Sequence, residues 1–304
     1  MKNRKYSLVF IMLLCMIMAV SVFPMTVNAD MGPKASVRIQ FEHMGDELCY
    51  GTLLSKEKST GPASAWDGRT ESAQKEYMDP GIWEIFVNYK DPDGYYFLQR
   101  SWKVSESKEL AWTYYPPDDF KILLYYPETE TFVSSGIYAR YAFDTYYTVD
   151  MDGVDIGSVE YNDDLSTNER IEAYRSYNYR QEMLALGARI VLTILIEMLV
   201  ALLFGFRQKK QLLILAVVNI ITQIILNVLL NVINYNSGPL AFTFFYVLFE
   251  LIVFALEAVL YCTILKRLSE KKKEDAYYIL YSFVANLISF GAGLFLAAKL
   301  PGMF

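Results

Sequence analysis

The pattern of apolar and polar positions divides this chain near residue 186. Before it, apolar residues come in short runs broken by turn residues; after it, they fill four long stretches. Ser36-Val37-Arg38-Ile39-Gln40-Phe41 alternates with the period of two expected of a half-buried strand. Two aromatic runs, 83–89 and 95–98, flank Asp91-Pro92-Asp93-Gly94 and predict a β-hairpin about that turn. Further strands are expected at 110–115, 121–126 and 138–149, the last with Tyr141, Phe143, Thr145 and Tyr147 on one face. Short strands at this spacing predict an all-β domain, an antiparallel β-sandwich over 30–161, large enough at ~130 residues to bury its own core. The polar segment 162–185 reads as a linker or stalk.

The four apolar stretches lie near 186–206, 211–233, 240–265 and 277–298. Each has the ~20 residues that span ~30 Å of hydrocarbon, which predicts an α-helical domain of four transmembrane helices over 186–304. Arg207, Lys209 and Lys210 separate the first two stretches, and Lys266, Arg267, Lys271, Lys272 and Lys273 the last two. The connection 234–239 carries no charge. The positive-inside rule therefore puts both basic connectors in the cytoplasm and the N-terminal domain outside. Residues 1–29 agree with this: a basic start, an apolar run at 8–22 and Val27-Asn28-Ala29 have the form of a cleaved signal peptide. The expected location is a bacterial plasma membrane, crossed several times, with the lipid bilayer as first partner.

Charge follows the same division. Residues 30–185 hold 28 acidic against 15 basic residues, whereas 186–304 hold 6 against 10. So acidic an outer domain repels phosphates and excludes nucleic acid as a partner. Of three cysteines, Cys15 leaves with the signal, while Cys49 and Cys262 fall in different domains and give no intrachain disulfide.

Polar residues inside the apolar stretches carry the candidate chemistry. An ionised carboxylate at mid-bilayer costs at least ~2.5–3.5 kcal/mol, yet Glu197, Glu250 and Glu257 all sit there. Measured from the cytoplasmic helix ends at ~1.5 Å per residue, Glu197, Asn219, Glu257 and Asn286 fall in one layer at roughly 13–15 Å. Glu250 and Asn227 form a second layer at roughly 24–25 Å. Asn219, Gln223, Asn227 and Asn231 recur every four residues with Thr222 beside them, and Ser282, Asn286, Ser289 and Gly293 make a matching stripe. Such stripes must face one another rather than lipid. The candidate site is therefore Glu197, Asn219, Thr222, Asn227, Glu250, Glu257, Asn286 and Ser289.

Two readings of that site stay open. In one it binds or passes a proton, a hard cation or a polar solute, with all-oxygen ligands suited to a cation and no other cofactor implied. In the other the amides and neutral carboxyls only hold the helices together. A second class of function is a cell-surface binding or sensory module whose helices are an anchor, with an extracellular ligand or partner protein. A homo-oligomer suits either class, because four helices give a small pore.

Enzyme chemistry is the least favoured. The single histidine, His43, lies in the outer domain, and no aspartate falls within an apolar stretch. This removes Ser/His dyads, zinc-histidine sites and paired-aspartate proteolysis from the membrane half. No glycine loop for phosphate is present. The acidic run 150–155 lacks the spacing of a helix–loop–helix calcium site. Trp66, Trp83, Trp102 and Trp112 read as sandwich core before they read as a sugar platform.

The layout resembles a group of membrane proteins from low-GC Gram-positive bacteria. The residues carrying the likeness are Ala29-Asp30-Met31-Gly32-Pro33-Lys34, Glu197 with Leu202-Leu203-Phe204-Gly205-Phe206-Arg207, and the Glu250/Glu257 pair. The resemblance implies a source and no mechanism.

Overall fold

The computed structural model describes residues 33–61, 63–69, 73–154, 156, 169–270 and 272–299. The expected signal peptide and residues 162–168 of the expected linker lie outside the described residues. The chain forms two compact units, Pro33–Tyr177 and a helical unit from Asn178 onward.

The first unit is built on two main sheets. One has the order β12-β10-β1-β6, from β1 (Ser36–Glu42), β6 (Glu109–Trp112), β10 (Asp144–Asp150) and β12 (Ala173–Arg175). The other runs β11-β8-β7-β2-β5, from β2 (Tyr50–Ser55), β5 (Tyr96–Phe97), β7 (Asp119–Tyr126), β8 (Thr131–Ser135) and β11 (Glu169–Ile171); β9 (Tyr138–Ala139) pairs with β7. The short strands β3 (Ser59–Thr60) and β4 (Ala63–Ser64) pair separately. Val37, Ile39, Leu110, Trp112 and Val149 of the first sheet share one buried cluster with Leu53, Ile122, Leu124 and Val133 of the second. The expected wholly antiparallel pairing does not hold: β1 runs parallel to β10, and β8 parallel to β11. Strands β11 and β12 also occupy 169–175, where a polar connector was expected, and complete the sheet edges by pairing with β8 and β10.

The expected hairpin over 83–98 is also corrected. Residues 80–88 form helix α1 (Pro80–Asn88). Asp79 caps it, its carboxylate accepting from the N–H groups of Gly81 at 2.8 Å and Ile82 at 3.3 Å, and Pro80 occupies the first turn. Ile82, Trp83 and Phe86 then fall on one face and pack on Leu54, Phe97, Leu123 and Tyr125. The aromatic run that looked like a strand is thus the apolar stripe of a short helix. It covers the outer face of the second sheet, which leaves β7 buried on both faces from Phe120 to Tyr126.

The Asp91–Gly94 turn has a further role. Lys121, on β7 and fully buried, reaches the Asp91 carboxylate at 3.0 Å and also pairs with Asp93. Burial works to lower the Lys121 pKa, but hydrogen bonds and charge from Asp93 and Asp91 outweigh it and leave it raised; Asp93 is held below the usual carboxylate range by Lys121. Cys49 is buried in the shared cluster, and its burial pushes the thiol up to about 12, so it is a packing residue rather than a nucleophile.

After a short helix α2 (Val104–Ser107) in the first unit, the helical unit contains α3 (Tyr179–Leu203), α4 (Lys209–Leu260) and α5 (Asp275–Lys299). Among the described residues three helices are long and apolar enough to cross a membrane, and Leu195, Leu199, Ile221, Ile225, Val228 and Val259 give them an apolar outer surface suited to lipid. The 52 residues of α4 would reach about 78 Å if straight, more than twice a ~30 Å hydrocarbon core. They are not straight. Gly238 has φ 81° and ψ −178°, outside helical space, and Pro239 follows. A pre-proline position disfavours the helical region, and only glycine adopts this alternative without strain. The two arms fold back on each other: Asn219 meets Tyr261, Thr222 meets Glu257, and Leu226 and Leu230 pack near Val253. The six-residue connection expected at 234–239 is therefore a break at one glycine.

Candidate functional site

Each helix of the second unit turns its polar stripe inward. Glu197 of α3, Asn219 of the first α4 arm, Glu257 of the second arm and Asn286 of α5 are all completely buried. Glu250, Gln223 and Asn227 are nearly so. Four- and seven-residue spacings hold these groups on one face while Leu and Ile cover the opposite face.

Glu257 is the best-served group. Thr222 donates its hydroxyl to Oε1 at 3.0 Å, and Asn286 donates Nδ2 to Oε2 at 2.7 Å. The same Asn286 amide also donates to the Ser282 carbonyl at 2.9 Å. Beside them, Tyr261 donates its hydroxyl to Asn219 Oδ1 at 2.8 Å. Tyr261 opens a π-helical turn, Tyr261–Leu265, whose wider winding sits at this contact. Glu197 receives a long contact of 3.4 Å from the Ser289 hydroxyl.

Five buried polar atoms here make no hydrogen bond of ordinary length and angle: Glu197 Oε2, Glu250 Oε2, Asn286 Oδ1, Asn219 Nδ2 and Gln223 Nε2, with Asn219 lying close to Glu197 and Tyr246 close to Glu250. Most buried polar atoms are satisfied, so five in one network require a reason. Two of these residues, Gln223 and Glu250, line a cavity of about 20 Å³ together with Arg189, Asn227, Tyr246 and Ser289. This is room for one water. Ser289 thus touches both Glu197 and the cavity that Glu250 lines.

The sequence-derived residues come together as follows. Glu257, Thr222 and Asn286 are directly bonded, Asn219 joins through Tyr261, and Glu197 joins through Ser289. Asn227 and Glu250 line the cavity, with Asn227 bonded to its own helix at the Gln223 carbonyl, 2.8 Å away. Among the described residues, no three acidic, histidine or cysteine side chains converge as a metal site would require.

Sequence reasoning missed Arg189. It is buried on α3, donates from Nη2 to Asn231 Oδ1 at 3.0 Å and lines the cavity with Glu250. A cation inside the first apolar stretch is the same signal that marked the glutamates. A second missed feature closes the other end of the bundle. Phe204, Phe206, Tyr277, Tyr278 and Tyr281 pack ring against ring, Phe206 edge-on to Tyr277 and Tyr281 and stacked on Tyr278; Tyr277 bonds the Phe204 carbonyl, and Gln211 donates to Ser269 at 2.9 Å. The connectors that follow α3 and the second α4 arm therefore lie at one end of the unit.

The chain matches no known protein family, no curated protein and no solved structure.

Proposed function

We propose that the helical unit is a four-span membrane domain that takes up and passes protons through its buried carboxylate–amide network. The fold-back at Gly238 supports four spans, since each α4 arm by itself suffices for ~30 Å of hydrocarbon. The basic connectors at one end support a cytoplasmic assignment for that end, with the acidic β unit outside a plasma membrane.

The observation that carries the proton reading is a cavity the size of one water at Glu250 and Gln223, linked through Ser289 to Glu197 in a network where five buried atoms lack an ordinary hydrogen bond. A hard cation would want oxygens alone and several of them, but this set mixes carboxyl and amide oxygens with amide N–H groups. A polar organic solute does not fit into about 20 Å³. Water and protons suit both the size and the mixture, because water donates and accepts. A proton is also the smallest ligand able to neutralise a buried carboxylate, whose charge in hydrocarbon is expensive. The route this favours runs from the cavity at Glu250, past Ser289 to Glu197, and on to Glu257 and the Asn219–Tyr261 pair. The aromatic cluster at the opposite end is the barrier that must be passed for release.

The test uses the full chain in liposomes loaded with a pH-sensitive dye, with a membrane potential imposed by potassium and valinomycin. Potential-driven acidification is expected, falling in Glu257→Gln and Glu197→Gln to the rate of protein-free liposomes. Wild-type flux no faster than protein-free liposomes, or flux unchanged in both variants, overturns the proposal.

A further inference from the structure

The β unit carries a groove of about 820 Å³ beside the Asp91–Gly94 turn, within the size range of small-ligand sites. Trp66, Tyr95 and Tyr96 supply aromatic surface, and Lys56, Lys58 and Lys90 supply charge. Trp66 is held in place rather than loosely exposed. Its ring packs edge-on against Trp83 at 5.5 Å, and its backbone N–H bonds the Phe97 carbonyl at 2.8 Å. Tyr96 is 54% exposed.

The lysines supply the charge. This domain has nearly twice as many acidic as basic residues, and several of its surface cations pair with a carboxylate. Arg38, Arg69, Lys75, Lys103 and Arg140 do so, whereas Arg100 and Arg175 lie over aromatic rings and Lys108 bonds backbone carbonyls. Among the described residues Lys56, Lys58 and Lys90 have no ion pair within about 4 Å; Lys56 lies over the Tyr95 ring at 4.9 Å and reaches Asp93, already paired with Lys121, only through longer-range charge. The two acids in the groove are engaged elsewhere, Asp67 with Arg69 and Asp91 with Lys121. The groove is thus locally cationic on an acidic unit.

We infer that this groove binds an anionic sugar, an oligosaccharide bearing carboxylate, sulfate or phosphate groups. The apolar face of a pyranose ring stacks on aromatic rings such as Trp66 and Tyr96, and the acidic substituent meets the three lysines. A bound peptide strand is disfavoured by the edge itself. The edge strand β5 is only two residues long, and its Phe97 carbonyl is already taken by Trp66. A long polyanion is disfavoured because the surrounding acidic surface repels it. This site is independent of the proton reading of the helices.

The test is titration of the full chain in detergent micelles, read by tryptophan fluorescence and calorimetry. The probes are trigalacturonate, a sulfated disaccharide, a sugar phosphate, a neutral trisaccharide and a hexaglutamate peptide. At least one of the three acidic sugars is expected to bind, and to bind more weakly as salt rises from ~50 to ~500 mM. The Lys56→Gln/Lys58→Gln/Lys90→Gln triple variant should lose about tenfold or more of that affinity with unchanged circular dichroism. Trp66→Ala and Tyr96→Ala should each weaken it; where Trp66→Ala lowers the thermal midpoint, Tyr96→Ala alone decides the aromatic contribution. The inference is overturned if none of the acidic sugars binds, if the neutral sugar or the peptide binds as tightly, or if the triple lysine variant binds like wild type.

Discussion

Asn286 donates its amide to Glu257 Oε2 at 2.7 Å while its own Oδ1 stays buried without a partner. The residue is thus committed on one side and open on the other, as a group that orients a carboxyl toward an exchangeable water would be. Asn286→Leu removes the donor and keeps the volume. It should cost about 1–3 kcal/mol of stability, read as a lower thermal midpoint in micelles. Combined with Glu257→Gln, the two losses should not add, since both act on one bond. Additive losses would show that the pair is not coupled.

Lys121→Met strands the Asp91 carboxylate, whose side chain is completely buried, without its cation. Breaking a buried pair in this way costs about 3–5 kcal/mol. Lys121→Met combined with Asp91→Asn and Asp93→Asn should recover part of that loss in thermal unfolding. A single variant as stable as wild type would show the pair to be dispensable.

The Lys121–Asp93 pair sets a pH window. The folded Lys121 pKa is raised, so its contribution is fully present below the ordinary value of 10.5 and is lost as pH rises through the folded value. The folded Asp93 pKa is lowered, so its contribution is present above the ordinary 3.8 and is lost as pH falls through the folded value. Thermal midpoints of the β-unit transition should therefore lie on a plateau between these limits as far as this pair is concerned. Lys121→Met should remove the alkaline decline that belongs to it.

Gly238→Val forces a branched side chain into a backbone region close to glycine-only, at about 1–3 kcal/mol. It should lower the thermal midpoint of the full chain, because Gly238 sets the fold-back that lets Thr222 of one arm bond Glu257 of the other. A midpoint equal to that of the wild type would show that the break tolerates other residues.

Cys49, with its thiol pushed up to about 12 by burial, should not react with maleimide at neutral pH until the β unit unfolds. Labelling that proceeds in the folded protein at the rate of an exposed thiol would contradict its place in the core.

How far the sequence could be read depended on which kind of signal each residue gave. β1 was legible because Val37, Ile39 and Phe41 alternate with polar neighbours. α1 was not. Trp83–Tyr89 is aromatic enough to pass for a strand, and the deciding signal was Asp79-Pro80 just ahead of it, an N-cap with proline in the first turn. β11 and β12 were not legible either, since short polar edge strands gain their order from β8 and β10 rather than from their own composition. In the helices, period and depth single out Glu197, Glu257, Asn219 and Asn286, and the same physical signal, a charge inside an apolar stretch, marks Arg189.

By itself the sequence determined which faces must be buried: two-residue and four-residue periods fix which side chains share a side of a strand or helix, and a carboxylate in an apolar run cannot face lipid. What it could not determine is which partner each buried group finds. That Glu257 is fully served while Glu197 and Glu250 each keep an open oxygen depends on where α4 folds back and on the meeting of helices far apart in sequence. The same is true of the three lysines gathered around one groove from residues 56, 58 and 90. Periodicity is a local property of the chain, whereas hydrogen-bond satisfaction and charge pairing are properties of the packed whole, and only the tertiary structure decides them.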